Sequence, residues 1–323
     1  MDNILTIRDL KVAFQVKGKL AYALDGINID IPKGKIVGIV GESGCGKSMT
    51  AMSIMGLIKN PGKIVGGSID FCGTELTKMS VRDYAKIRGK DISMIFQEPM
   101  TSLNPVVKVG KQVMESIILH ENLSKDEAKK RVIDIFNEVG IPEAEKRFNS
   151  YPHELSGGLR QRVMIGMAMI CKPKLLIADE PTTALDVTIE AQILKLMKKL
   201  CEDNGTSIIM ITHNMGVVAE ICDYVYVMYA GRVVESADTK TIFTETSHPY
   251  TTGLLKSIPT IGKKQSRLYT IKGNVPNILN LPKGCRFVDR CDCAENICYS
   301  DRPENGFISQ NHMVSCFLKK DIR

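Results

Sequence analysis

The stretch IVGIVGESGCGKS, residues 36–48, joins an apolar run of strand length, Ile36 to Val40, to a glycine-rich turn that ends in Lys47-Ser48. Gly41 and Gly46 frame the pattern G-x-x-x-x-G-K-[ST]. Glycine lets the backbone curl until consecutive N–H groups point inward, which suits phosphate oxygens. Lys47 adds a positive point charge and Ser48 a hydroxyl of the kind that meets Mg²⁺. The residues that follow, 49–58, read as a helix whose N-terminal dipole also favours an anion. Gly41, Ser43, Gly44, Cys45, Gly46, Lys47, Ser48 and Met49 are therefore the expected nucleotide-triphosphate set. The rival reading is a flexible surface loop, and the strand pattern before the turn weighs against it.

A chain of 323 residues with 44% apolar content holds one large or two modest domains with a real core. Its longest uncharged apolar runs, such as IIMIT and VYVMYA, are strand-sized, far below the ~20 residues of a membrane-spanning helix. The start, MDNILTIRDL, lacks the basic and apolar regions of a signal peptide, so a cytoplasmic chain is expected, reaching a membrane through a partner. The net charge of +7 comes from Lys and Arg spread among many acids, which describes a solvated surface better than a nucleic-acid interface. Ten cysteines in such a chain argue against a disulfide framework. Five are scattered, and five fall between Cys285 and Cys316.

Along the chain, LTIRDLKVAF and INIDI predict an N-terminal β-rich layer. GGSIDFCG reads as a short strand, Ser80 as the cap of a short helix, and Ser124 with Glu127 as a capping box within a helical stretch from Val109 to Val139 that Gly140 can end. Helix, strand and helix alternate again from Gly158 through KLLIAD and TSIIMIT to DYVYVMYAG, with two short helices near Thr239 and His248, which predicts a mostly parallel sheet covered by helices. After Ile258 periodicity fades, and the tail reads as a small appended module rather than continued sheet. Asp179 and Glu180 end the apolar strand of KLLIADE, at the edge where such sheets present side chains to a ligand. Asp179 is placed to hold Mg²⁺ and Glu180 to polarise the attacking water, against a rival reading of an acidic strand end before the turn at Pro181.

With these residues in view, the chain resembles the ATP-binding subunits of ABC transporters. LSGGLRQR, 155–162, is similar to their signature motif, with Ser156, Gly157 and Gly158 at a helix N-terminus; Leu159 departs from the family's usual Gln or Met. The resemblance implies that this second phosphate-binding element serves the ATP of a facing subunit. It further implies that Gln97 is the glutamine near Mg²⁺ and water, that Asp186 contacts the opposite subunit while also able to cap a helix, and that His213 donates toward the γ-phosphate. Phe14 and Tyr22 compete for the aromatic that stacks on adenine, and Phe14 is the expected one. Lys47, Gln97, Glu180 and His213 are thus the expected catalytic residues, and Ser48, Gln97 and Asp179 the Mg²⁺ group.

Around EPMTSLNP, GLRQRVMIGMAM and HPYTTGLL, 248–255, the chain is similar to the dipeptide and oligopeptide importers within that family. That resemblance implies a 4Fe-4S cluster on Cys285, Cys291, Cys298 and Cys316. Zn²⁺ on the same thiolates and unmetallated reduced thiols are alternatives, and Cys293 is a spare thiol in either count. The expected partners are two membrane permease subunits, a second ATP-binding subunit, with a heterodimer favoured over a homodimer, and indirectly an extracytoplasmic substrate-binding protein, but no nucleic acid. The expected place is the cytoplasmic face of the membrane. Nickel, metal chelates and sugars are alternative cargoes; a soluble ABC ATPase acting on nucleic acid or ribosomes is disfavoured by the single cassette and short insert. The fold expected is an α/β P-loop ATPase over 1–258 with a helical insert at about 99–170, followed at 259–323 by a cysteine-rich extension.

Overall fold

The computed structural model describes residues 2–16, 18–97, 102–182, 186–258 and 269–318. The expected start of the insert near 99, residues 183–185 of the TTALD run and the expected onset of the extension at 259 lie outside them. The strands are β1 Asn3–Val16, β2 Lys19–Pro32, β3 Ile36–Val40, β4 Gly62–Phe71, β5 Thr74–Glu75, β6 Ile92–Ile95, β7 Leu175–Asp179, β8 Ser207–Thr212, β9 Tyr224–Tyr229, β10 Arg232–Asp238, β11 Gly306–Ser309 and β12 His312–Val314. Two units emerge: one from 1–4, 32–35 and 79–209, the other from 5–31, 36–78 and 210–323. The last passage of the chain from one to the other falls within β8.

In the second unit, β3 runs parallel to β9, with Val37 opposite Tyr224 and Val40 opposite Val227. All five residues of β3 are buried, as an apolar strand covered on both faces requires. From β9 outward the pairing turns antiparallel, through β10 to β12 and β11. The tail therefore continues a sheet, contrary to the expectation of a separate module: Glu235 of β10 pairs with Val314 of β12. The signal was weak because β12 has only three residues, too few for a period-two pattern to register. The expected N-terminal β layer is present as an antiparallel sheet in the order β2-β1-β4-β5. The helix after the phosphate loop is shorter than expected, Lys47–Ile54.

In the first unit, β6 and β7 are parallel, with Ile92 opposite Leu175 and Ile95 opposite Ala178. The helical stretch resolves into Val109–His120 and Lys125–Glu138, and Ser124 caps the second reciprocally: its hydroxyl accepts from the Glu127 amide at 3.3 Å, and its own amide donates to the Glu127 carboxylate at 2.9 Å. The helix Val187–Asn204 follows residues 183–185; Ile193, Leu194, Met197, Leu200 and Cys201 form its buried stripe. Gly205 ends it in the left-handed region at φ 66°, where its amide reaches the Cys201 carbonyl.

Candidate functional site: the phosphate loop and its supports

The second unit holds the loop predicted from sequence. Gly41 sits at φ 152°, and a Cβ there would lie 2.2 Å from the Met228 carbonyl oxygen, so only glycine fits against β9. Gly46, at φ 106°, opens the helix Lys47–Ile54. Ser43, Gly44 and Ser48 are exposed and Met49 is half-buried, whereas Cys45 is buried and its thiol pushed up by desolvation despite the nearby Lys47 charge. Lys47 is only 5% exposed, and its ammonium donates to the carbonyls of Gly41 at 2.7 Å and Glu42 at 3.0 Å. A buried ammonium needs such acceptors. The loop thus supplies a fixed cation, a run of inward-curling backbone and an exposed hydroxyl, which fits a Mg²⁺-nucleotide.

Supports for this loop come from far along the chain. The Glu42 amide donates to the Tyr250 hydroxyl at 2.8 Å, and the Glu42 carboxylate takes two bonds from Arg290, at 2.6 and 2.9 Å. Those bonds come first in holding the Arg290 guanidinium firmly protonated. Cys45 offers its carbonyl to the Gly231 amide at 2.8 Å, and Gly231 accepts from the Asp25 amide at 2.9 Å. Arg286 donates to the Ala230 carbonyl and to Asp25. Burial would raise the Asp25 carboxyl, yet Arg232, Arg286 and Arg302 together hold it below the usual range. Tyr229, Tyr250 and Phe287 pack ring to ring at 4.7 to 5.3 Å beneath these polar ties.

The first unit brings Gln97 to Glu180: the Gln97 amide donates to the Glu180 carboxylate at 3.0 Å. Asp179 ends β7 buried at 3% exposure, and Glu180 follows in the left-handed region at φ 47°, a strained conformation for a glutamate. Ser156 caps the helix Gly157–Met169, its hydroxyl accepting from the Leu159 amide at 3.3 Å; Gly157 faces open space, and a Cβ on Gly158 would meet Ile189 at 3.2 Å. Asp186 caps the helix Val187–Asn204, accepting from the Ile189 amide at 2.9 Å. In the second unit, His213 is exposed just past β8, and Phe14 is half-buried opposite Gly62, where a Cβ would fall 2.7 Å from its ring.

The metal group expected in the tail falls on cysteines that the fold gathers in one place. Cys285, Cys291, Cys298 and Cys316, with Cys293, all border one cavity beside Phe287 and Pro303. Among the described residues, however, no group of three or more His, Cys, Asp or Glu is set to hold a metal ion. Burial raises Cys285 and Cys316 and pushes Cys291 up to about 11.

Comparison with known proteins agrees with the loop. The family model described as ABC transporter matches residues 24–183, and the one described as oligopeptide/dipeptide transporter, C-terminal region, matches 234–298. The chain belongs to the ATP-binding subunits of ABC transporters, and it is an ATPase. Within that family it is 51% identical over 322 residues to the oligopeptide transport ATP-binding protein AppD of Bacillus subtilis, covering 99% of this chain and 98% of that one. The oligopeptide transport ATP-binding protein OppD of Escherichia coli is 49% identical, covering 98% and 93% of the two chains. A dimeric ATP-binding cassette solved in a post-hydrolysis state with ADP and phosphate matches with a TM-score of 0.66 at 27% identity, over 73% of this chain and 98% of that one.

Glu42, Tyr250 and Arg290 escaped the sequence reading. Glu42 fell on a variable position of the loop pattern, and Tyr250 lay inside HPYTTGLL with no role attached. Only the fold brings Tyr250 and Arg290 together on Glu42.

His248 precedes Tyr250 in this support, buried at 2% exposure, with Nδ1 accepting from the Tyr250 amide at 3.1 Å. Burial, outweighing the attraction of Glu235, holds it neutral down to about pH 4. Its folded value is lowered, so its contribution is present above the unfolded value near 6.5 and is lost as pH falls toward 4, where the unfolded chain alone takes up the proton. Replacing His248 with Asn, which can accept the same amide but does not titrate, should flatten the loss of stability across that window. An acid-unfolding profile as steep as wild type between pH 6.5 and 4 would contradict this.

Proposed function

We propose that the chain hydrolyses ATP to drive import of oligopeptides or dipeptides through two partner permease subunits, from the cytoplasmic face of the membrane. The observation that carries this reading is the two-part match: the phosphate-binding region matches the ABC transporter model, and the segment bearing Tyr250 and Arg290 matches the C-terminal region described for oligopeptide and dipeptide transporters. Relatives at about half identity are named for the same cargo. Among the described residues no helix is long and apolar enough to cross a membrane, so the path for cargo belongs to partners in this reading.

In the proposed cycle, Lys47 and the loop amides of 41–47 hold the β- and γ-phosphates, with Ser48, Asp179 and Gln97 toward Mg²⁺. Glu180 polarises the attacking water and His213 donates toward the γ-phosphate. The Gln97–Glu180 hydrogen bond supports this assignment, because it places the glutamine directly on the proposed base. Phe14 stacks on adenine. Ser156, Gly157, Gly158 and Asp186 serve the nucleotide of a second ATP-binding subunit, and a sister chain is favoured over a second copy.

The bound Mg²⁺ supplies charge neutralisation at the phosphates. Peptide loading of the extracytoplasmic binding protein should stimulate ATP hydrolysis by the assembled transporter, and Glu180→Gln should bind ATP yet lower turnover by about 100-fold or more. Stimulation by a nickel chelate or a sugar, but not by peptides, would assign the alternative cargo; undiminished turnover in Glu180→Gln would remove Glu180 from its role.

The iron–sulfur reading of the tail rests on its thiol chemistry: five cysteines border one cavity. Metal analysis of anaerobically purified chain decides it. About four iron per chain would support a cluster, zinc would support the mononuclear alternative, and neither metal would leave reduced thiols.

A further inference from the structure

Between Cys285 and Cys291, residues 286–290, which end in the 3₁₀ turn Val288–Arg290, carry two arginines four residues apart that reach the phosphate-loop region by different routes. Arg286 grips the Ala230 carbonyl and Asp25, which bracket the turn whose Gly231 amide holds Cys45. Arg290 goes directly to Glu42 inside the loop. Its guanidinium is fixed from several sides: Nε donates to the Lys272 carbonyl at 2.8 Å, one terminal nitrogen reaches the Tyr229 hydroxyl at 3.3 Å, and the rings of Tyr229 and Phe287 lie 5.7 and 5.9 Å from its centre. The Arg290 side chain is only 4% exposed, whereas that of Glu42 is 32% exposed. The arginine is therefore the built half of the pair, and the loop is the half it can hold.

We infer that Arg290 is a positioning residue of the nucleotide site: by its two bonds to Glu42 it holds the phosphate loop in the curl that receives ATP, so the C-terminal extension is a working part of the ATPase. The path is short. The Glu42 carbonyl is one of the two that hold Lys47, so a shift of Glu42 moves an acceptor of the phosphate-binding ammonium. Arg290 touches no phosphate itself; it acts through Glu42. A planar two-bond fork fixes the carboxylate in orientation as well as distance, which a lysine cannot do.

The test is ATP affinity of the full chain in the presence of Mg²⁺, measured by calorimetric titration alongside the melting temperature without nucleotide. Arg290→Met keeps the apolar stem and removes the fork, and should weaken ATP binding at least fivefold. Glu42→Gln should weaken it by a similar factor, and the double variant no further, because both remove one interaction. Arg290→Lys should recover part of the loss. Should Arg290→Met fail to fold, Glu42→Gln with Arg290 intact carries the same comparison. Affinity within twofold of wild type in either single variant, whatever happens to the melting temperature, would overturn the inference, as would fully additive losses. The inference rests on the loop being the ATP site; a wild-type chain that binds no ATP would overturn that reading first, whereas wild-type binding with Arg290→Met or Glu42→Gln unchanged would overturn this one alone.

Discussion

A loop built to surround phosphate has to keep its shape when no phosphate is there, and Glu42 is where that requirement is met. Its amide, carbonyl and carboxylate are each engaged, by Tyr250, Lys47 and Arg290 respectively. Left without acceptors, a buried ammonium such as Lys47 would cost several kcal/mol in desolvation. Two loop carbonyls offset that cost and keep the charge in place for a ligand. Pre-positioned charge is what phosphoryl transfer needs most, since the chemistry depends on placement and electrostatic stabilisation more than on covalent participation.

Much of this was legible in the sequence because it is local. The strand Ile36–Val40, the φ demands at Gly41 and Gly46, the capping box at Ser124 and the caps at Ser156 and Asp186 each depend on residues within a few positions of one another. Hydrophobic period and turn chemistry report such features directly. The Gln97–Glu180 bond spans 83 positions: the sequence singled out Glu180 at a strand end and Gln97 by family resemblance, but only the fold joins them.

What the sequence concealed is non-local. Glu42 and Arg290 lie 248 positions apart, and no periodicity links them. The tail's strands were missed for a different reason: at three and four residues they fall below the length at which alternation can be seen. In the cysteine cluster the opposite occurred. The residues do gather around one cavity, but spacing cannot tell thiols that line a space from thiolates that converge on a metal.

The tail is thus tied to the nucleotide loop by polar bonds over a shared aromatic base. Arg286, Phe287 and Arg290 sit in one short stretch, and each meets a residue of the loop's surroundings. Hydrogen exchange of the full chain, read on peptides covering 41–48 and 286–292 with and without Mg²⁺-ATP, tests the central claim most directly. The account predicts that both peptides gain protection together. Protection of the tail peptide without the loop, or of neither, would contradict it.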